Sequence, residues 1–328
     1  MNISVAMATY NGERFLQEQL DSLAAQTLLP CELVVGDDGS TDGTLEILER
    51  FAKRAPFPVR VRRNIENLGY GKNFISTAMH CSGDWIAFCD QDDRWLPQKL
   101  ERIGAIAQRH HQVDWISTRD IIEDKRRIAN IAFRMTRASS WLPNMSPVKI
   151  YAGHRVAFRR YYMDLPWQTV ERFSGHRKYA HDSWMSALGW LVGRQYFSSE
   201  RLTIFRRHPD AATFDGAPSE LLPRCHLSGE TSAAREFFLG QERFWRAIGF
   251  WCANAAREDE SPIADRLSVA DKKSEAVADW YQLRAVVHAP TASRVERIFA
   301  LRTLVKHGAY NCAFGWLPLV KDAVASIS

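Results

Sequence analysis

The chain has 328 residues, of which 46% are hydrophobic and 25% are charged, as in an ordinary globular protein. Its net charge of +5 is too small, and its basic residues too scattered, to indicate a nucleic-acid-binding protein, although the charge suits an anionic substrate or membrane surface. The six cysteines form no C-x-x-C pair, which predicts reduced thiols and a cytoplasmic location, and we expect neither a signal peptide nor a membrane-spanning segment.

Strands and helices alternate along the first third of the chain. The apolar patterns predict strand 3–8, helix 14–26, strand 32–37, helix 43–54, strand 59–63, helix 72–80, strand 84–89, helix 97–110 and strand 113–118. This alternation predicts an α/β fold, with a mostly parallel sheet and helices on both faces.

The pattern is less regular beyond residue 118. Residues 119–147 are basic and contain prolines, which favours a hairpin or a mobile loop, and residues 148–158 predict another strand. A helix is predicted over 183–192, and one or two short strands over 195–207. Prolines and glycines over 209–229 indicate a linker, after which the chain reads as helices.

This organisation predicts one large domain with a helical appendage, because the chain exceeds the usual size of a single domain. We expect the domain to cover residues 1–220 and the helical C-terminal region to cover 221–328. Within the domain, residues 1–118 are expected to bind a nucleotide and residues 119–220 to bind an acceptor.

Three carboxylates, Asp90, Asp92 and Asp93, directly follow the strand predicted at 84–89. Open α/β sheets bind ligands at the carboxyl ends of their strands. Carboxylates this close repel one another unless a cation lies among them, and a divalent cation shared with substrate phosphates is a common solution. The alternative is a turn of solvated acids in which Asp93 caps the next helix.

Polar turns follow the other strands in a regular order. Thr9-Tyr10-Asn11 ends the first strand, Asp37-Asp38-Gly39-Ser40 ends the second, and Gly69-Tyr70-Gly71-Lys72-Asn73 begins the third helix. Together with the acidic cluster, these segments resemble the nucleotide-sugar domain of family 2 glycosyltransferases, which has the Rossmann-like GT-A fold. Within this family, the segments resemble bacterial rhamnosyltransferase-like members that build surface polysaccharides. The resemblance is dense over residues 3–100, patchier over 148–210 and weak beyond about 220.

The resemblance implies a pyrimidine-nucleotide pocket. Thr9, Tyr10 and Asn11 would form one wall, and Asp37 would accept the imide N–H of uracil or thymine. Lys72, at a helix N-terminus, would hold a phosphate. The alternatives are a simple strand-to-helix turn for the first three residues and a solvated surface position for Lys72.

The resemblance also assigns roles in the acidic cluster. Asp92 would bind Mg²⁺ or Mn²⁺, which would neutralise the departing diphosphate. Asp90 and Gln91 would contact the nucleotide, and Asp93 the donor sugar or acceptor. His208 would be a further metal ligand, unless it is a phosphate contact or a plain surface histidine.

Asp182 is the candidate general base, since the family carries a His-Asp or Glu-Asp pair before a helix, as in His181-Asp182 here. The alternative is a helix N-cap, a position that aspartate favours. Its neighbour His181, and the pair Gly153 and His154, would line the donor sugar or the acceptor.

The activity implied by this resemblance is inverting, metal-dependent transfer from a UDP- or dTDP-sugar donor. The acceptor would be a saccharide or lipid-linked glycan in bacterial surface polysaccharide (lipopolysaccharide) synthesis, reached by peripheral association with the cytoplasmic face of the inner membrane. Two alternatives stay open. A sugar-nucleotide nucleotidyltransferase would need a Gly-rich phosphate loop, which Asn11-Gly12-Glu13-Arg14 matches poorly. A non-catalytic protein would bind a nucleotide sugar without turnover.

Overall fold

The computed structural model describes residues 1–123, 140–141, 153–167, 181–208, 211, 231–258, 263–309 and 316–327. One sheet of nine strands forms in this part of the chain. The strands are β1 (Ile3–Thr9), β2 (Glu32–Asp37), β3 (Val59–Arg63), β4 (Trp85–Asp90), β5 (Arg94–Trp95), β6 (Trp115–Glu123), β7 (Ser140–Trp141), β8 (Val156–Arg159) and β9 (Gln195–Arg206). The helices described are α1 (Glu13–Ala24), α2 (Thr44–Ala52), α3 (Tyr70–Met79), α4 (Lys99–Arg109), α5 (His181–Val192), α6 (Thr231–Glu258), α7 (Ala264–Val287), α8 (Arg294–Lys306) and α9 (Trp316–Ile327).

The sheet has a parallel half and a mixed half, in the order β3-β2-β1-β4-β8-β6-β9-β5, with β7 paired to β9. β1 lies parallel to β2 and β4, and β2 lies parallel to β3. β8 runs antiparallel to both β4 and β6, whereas β6 and β9 are parallel. The carboxyl ends of β1, β2 and β4 therefore meet at one edge, which is where such sheets bind ligands.

Helices cover both faces of the sheet, as predicted. Successive residues of β1 point to opposite sides, so Val5 and Met7 pack in one core with α1, α2 and α4. Ala6 and Ala8 pack in a second core with α3, α5 and the C-terminal helices. Burial on both faces explains why the parallel strands read as continuous apolar runs in the sequence.

The strands β5 and β7 were not predicted, the one or two short strands expected over 195–207 form the single strand β9, and β6 and β8 also differ from the sequence-based expectation. β6 continues to Glu123, into the stretch expected to be a hairpin or loop, because its end pairs with β9 through Asp120 and Thr203. In the strand expected at 148–158, β8 begins only at Val156, after a 3₁₀ turn at Gly153–Arg155, and residues 148–152 lie outside the described part. Apart from residue 211, the linker expected over 209–229 also lies outside it.

The C-terminal helices pack on the sheet and share its second core. Trp245 and Trp251 of α6 are buried in the same cluster as the inner residues of β1 and β4. Arg266 of α7 binds Asp114, which directly precedes β6, at 2.5 Å. None of the helices described is both long enough and apolar enough to cross a bilayer.

Candidate active site

The candidate site lies where the parallel strands end. Thr9 is paired with Asp37 across β1 and β2, and Ala8 with Asp90 across β1 and β4. The register therefore brings three of the motifs found in the sequence to one edge of the sheet. The 3₁₀ turn that carries His154 contacts the same edge from β8.

His154 lies among three carboxylates and is 2% exposed. Its Nδ1 atom is 3.4 Å from Asp90 Oδ2 and 3.7 Å from Asp93 Oδ2. On the other side of the ring, Nε2 is 3.1 Å from Asp120 Oδ2, which also accepts from Arg155. The imidazole thus connects the acidic loop after β4 to β6.

Burial and charge act in opposite directions on these groups. Burial by itself would lower the pKa of His154, but hydrogen bonds with Asp120 and Asp90 outweigh it and raise the pKa to about 9. Burial would raise the pKa of Asp120, yet the bond to His154 and the charge of Arg155 hold it at about 2. The pKa of Asp90 is lowered against its burial by the same histidine. The structure therefore favours a charged histidine between ionised carboxylates.

Asp93 is the least compensated carboxylate of the cluster, with His154 Nδ1 3.7 Å from its Oδ2. It is fully buried, and its Oδ1 accepts the Arg206 N–H at 3.2 Å, while among the described residues its Oδ2 has no hydrogen-bond partner. Burial, reinforced by the charges of Asp90 and Asp92, raises the pKa of Asp93 to about 8. Ligand atoms of Asp90, Asp93 and His154 all lie within 4.8 Å of one another. A buried carboxylate oxygen without a partner, in a set of this composition, fits a divalent cation.

Asp92 and His208, assigned to the metal from the sequence, contact each other beside this set. His208 Nε2 is 2.8 Å from Asp92 Oδ2, and the histidine ring packs on Phe15 with centroids 4.5 Å apart. Burial, with the nearby charge of Asp90, raises the pKa of Asp92. Among the described residues, the group that converges for metal binding is Asp90, Asp93 and His154. Metal ligation by Asp92 and His208 stays a prediction.

Lys99 lies beneath the cluster and was not predicted from the sequence. It is 1% exposed, and its Nζ donates to the His154 carbonyl at 2.6 Å and to Thr203 Oγ1 at 2.8 Å. Burial lowers its pKa to about 8. In the sequence, Lys99 lies two residues after Pro97, at the start of a predicted helix, where a lysine is usually exposed. No local pattern therefore predicts its burial. Asp120 was missed too, although an acid just after a predicted strand was a usable signal.

Gln91 ties the acidic loop to the turn after β1. Its Oε1 accepts the Tyr10 N–H at 2.9 Å, and its Nε2 donates to the Tyr10 carbonyl at 3.0 Å. A Cβ on Gly12 would stand 2.3 Å from Gln91 Oε1, so a side chain at residue 12 would displace the Gln91 amide. Asn11 adopts φ 47° and accepts the Thr41 N–H. The Tyr10 side chain remains 51% exposed, in a position to contact a ligand.

Asp37 is fully buried and organises its own turn. Its oxygens accept from Thr9 Oγ1 at 3.0 Å, from the N–H groups of Gly39 and Ser40, and from the Ser40 hydroxyl. Four donors occupy the four acceptor positions of a carboxylate. The base contact assigned to Asp37 stays a prediction, and it would require one of these donors to give way.

Lys72 is exposed in the first turn of α3, which Gly69 precedes with φ 79°. The N–H groups of Leu68 and Gly69 each donate to Asp38 at 2.8 Å. These bonds place α3 at the same edge of the sheet as β2. The phosphate contact assigned to Lys72 stays a prediction.

His181 and Asp182 begin α5 on the other side of the site. His181 is 4% exposed and stacks on Phe74 with centroids 4.2 Å apart, and neither ring nitrogen has a hydrogen-bond partner among the described residues. Burial lowers its pKa. A Cβ on Gly153 would lie 2.5 Å from His181 Nε2, so the glycine permits this position. Asp182 is half-buried in the first turn of the helix, and its carboxylate accepts the Ser183 N–H at 2.7 Å, so its role as base or cap stays a prediction.

Comparisons with known proteins show which sequences this chain resembles. Residues 4–165 match the family described as Glycosyl transferase family 2. An uncharacterized glycosyltransferase of Nostoc sp. is 35% identical over 123 residues, covering 38% of each chain. The dTDP-rhamnosyl transferase RfbG of Shigella flexneri is 37% identical over 99 residues, covering 29% of this chain and 34% of RfbG. The alignments with these two relatives thus span well under half of their lengths.

A solved structure extends the likeness in fold to the whole chain. The crystal structure of Staphylococcus aureus TarS residues 1–349 in complex with UDP superposes with a TM-score of 0.55 and 19% identity. The superposition covers 100% of this chain and 89% of that one. At this identity the likeness establishes the fold alone.

Proposed function

Since this chain belongs to the family 2 glycosyltransferases through residues 4–165, we propose that it transfers a sugar from a pyrimidine nucleotide donor to a saccharide hydroxyl. The observation that carries the proposal is the convergence of Asp90, Asp93 and His154 at the carboxyl end of β4, next to the turns after β1 and β2. The names of the relatives support a UDP- or dTDP-linked donor, because RfbG is a dTDP-rhamnosyl transferase and TarS was crystallised with UDP.

Asp90 and Asp93 would hold a Mg²⁺ or Mn²⁺ ion, which His154 would join as a ligand only after losing a proton to the solvent, with Asp92 and His208 beside it. When bound, the ion supplies positive charge for the departing diphosphate. Lys99 fixes the His154 carbonyl from below, and Gln91 fixes the turn that carries Tyr10. These contacts hold the nucleotide side of the site rigid, which catalysis by positioning requires.

Asp182 would act as the general base. It would accept the proton of the acceptor hydroxyl while that oxygen attacks the anomeric carbon, and the nucleoside diphosphate would leave on the opposite side. A single displacement inverts the anomeric configuration. His181, which packs against Phe88 of β4, places the start of α5 beside the acidic cluster.

The acceptor would be a saccharide or a lipid-linked glycan in the synthesis of a bacterial surface polysaccharide. We propose that the protein works at the cytoplasmic face of the inner membrane, in peripheral contact with it. This part of the proposal depends on the family resemblance and on the dTDP-rhamnosyl relative.

A panel of nucleotide sugars tests the proposal. UDP- and dTDP-sugars should raise the melting temperature in the presence of Mn²⁺ more than GDP-sugars do, because a ligand that binds the folded state stabilises it. Incubation with saccharide acceptors should then release a nucleoside diphosphate. Release of pyrophosphate would instead identify a nucleotidyltransferase, and binding without turnover on any acceptor would identify a non-catalytic binding protein.

A further inference from the structure

α8 exposes an unusual number of large apolar side chains. Val295 is 77% exposed, Phe299 is 70% exposed and Val305 is 51% exposed. Single apolar residues on a surface are common, but several on one short helix mark an interaction site. The exposed positions 295, 299, 302 and 306 follow the i, i+4, i+7, i+11 spacing of one helical face.

The structure fixes the orientation of this helix. Its N-terminus is closed by a capping box between Ser293 and Glu296, and its inner side buries Ala300 and Leu304. Arg297 donates to the backbone carbonyls of Ala289 and Ala325, which joins α8 to the ends of α7 and α9. The exposed face therefore cannot rotate inward without breaking these contacts.

Basic residues alternate with the apolar ones on this face. Arg294, Arg302 and Lys306 are exposed, whereas the acidic residue of the helix, Glu296, is engaged by the capping box. Phe299 is followed one turn later by Arg302, so cations stand among the apolar side chains and not only around them. The centres of protein–protein interfaces are depleted in charged residues. At a bilayer surface, by contrast, lysine and arginine bury their methylene groups among apolar atoms and extend their charged ends to the lipid phosphates.

We propose that this face, the α8 ridge formed by Arg294, Val295, Phe299, Arg302, Val305 and Lys306, docks on an anionic phospholipid bilayer. The apolar side chains would enter the boundary between headgroups and acyl chains, and the three cations would contact lipid phosphates. The net charge of +5 on the whole chain also favours binding to an anionic bilayer. The α8 ridge would be the surface through which the protein makes the peripheral membrane contact proposed above. Its biological role therefore rests on the proposed function.

Vesicle sedimentation tests the α8 ridge. The wild-type protein should sediment with phosphatidylcholine vesicles that contain phosphatidylglycerol, more weakly with pure phosphatidylcholine, and less as salt rises. Phe299→Ser should lower the partition coefficient about tenfold or more, because one buried phenylalanine side chain contributes that much. The double variant Arg302→Glu/Lys306→Glu should abolish the preference for phosphatidylglycerol.

Two residues of α6 provide matched controls. Phe250 is 59% exposed and Arg243 is exposed, so Phe250→Ser and Arg243→Glu remove the same side chains from another helix. Both controls should sediment like the wild type, and all variants should keep its melting temperature. Equal loss in the α6 variants, or sedimentation independent of lipid charge, would overturn the proposal. So would a wild-type dimer in solution that Phe299→Ser dissociates, because a second copy would then cover the ridge.

The outcome can be separated from that of the proposed function. Donor binding measured without vesicles should be the same for the wild type and the α8 variants, because the ridge lies outside the site at β4. A protein that binds vesicles through α8 but binds no nucleotide sugar would contradict the proposed function and leave the ridge supported.

Discussion

At the scale of single residues, His154 explains how the carboxylates of Asp90, Asp93 and Asp120 can crowd together between β4 and β6. A buried carboxylate is costly unless a positive charge or donors compensate it. His154 supplies such a charge to Asp90 and Asp120, while one oxygen of Asp93 has no hydrogen-bond partner among the described residues. Within the described part of the chain the cluster is therefore only partly balanced, which is a reason for a cation to bind there.

The two candidate ligand sets make different predictions for metal binding. The converging set predicts that Asp93→Asn weakens Mn²⁺ binding by at least about tenfold, since it removes one of few charged ligands. The sequence-based assignment predicts the same loss in Asp92→Asn. Calorimetric titration of Mn²⁺ into each variant decides between the sets, with Asp164→Asn, which changes an exposed acid bonded to Arg160, as the control. Unchanged Mn²⁺ affinity in both site variants would refute a metal centre at this loop.

Asp182 makes a separate prediction, because asparagine can replace an aspartate as a helix cap but not as a general base. Asp182→Asn keeps the shape of the side chain but cannot take a proton. We expect near-normal stability and donor affinity, with turnover lowered by about 10²–10⁴-fold. Steady-state kinetics with a saturating donor measures the effect, and NMR of the product should show inverted anomeric configuration. Normal turnover in this variant would place the base elsewhere.

At the scale of elements, the sequence predicts best where the local pattern decides the structure. The strands of the parallel half are buried on both faces, so β1, β2 and β4 read as apolar runs with polar turns at their ends, and all three are confirmed. β5 has only two residues and forms because β9 lies beside it, which no local pattern reveals. Lys99 was missed for the same reason, since its partners His154 and Thr203 are distant in sequence.

The start of β2 makes a prediction about pH. Glu32 accepts from Ser4 Oγ, from the backbone and hydroxyl of Ser82, and from Arg60, and it joins β2 to β1 and to the loop before β4. Burial would raise its pKa, but these hydrogen bonds outweigh it and lower the pKa. The stabilisation is therefore complete above the ordinary glutamate pKa and is lost as pH falls through the lowered value. Urea unfolding from neutral to acidic pH should show a weaker acid dependence for Glu32→Gln, and an unchanged profile would contradict the assignment.

At the scale of the whole molecule, the C-terminal helices are part of the enzyme's core. The cluster beneath one face of the sheet includes residues of β4, α5, α6 and α7. Asp114, which is 3% exposed, binds Arg266 of α7, and Arg266 also donates to the Val192 carbonyl at the end of α5 at 2.8 Å. Arg266 thus joins α7 to the C-terminal end of α5, the helix that carries Asp182 in its first turn.

Arg266→Ala tests this coupling. The substitution leaves a buried carboxylate with its main counter-charge removed, and breaking such a pair typically costs about 3–5 kcal/mol. We expect the free energy of unfolding in urea to fall by an amount near the lower end of that range, because the Asp114 carboxylate also accepts from Tyr161 and from the Arg194 N–H. The unfolding of the wild type should be a single transition, since one core spans both regions.

Arg246→Ala on α6 is the matched control for Arg266→Ala. Arg246 is paired with Glu242 and Asp279 on the surface, where such pairs contribute about 1 kcal/mol or less. The control should therefore unfold close to the wild type, in the same single transition. The wild type could instead unfold in two separate transitions, with Arg266→Ala shifting only one of them. That result would mean that the helices and the sheet fold independently. Equal destabilisation by both substitutions would mean that the buried pair adds nothing beyond an ordinary surface contact.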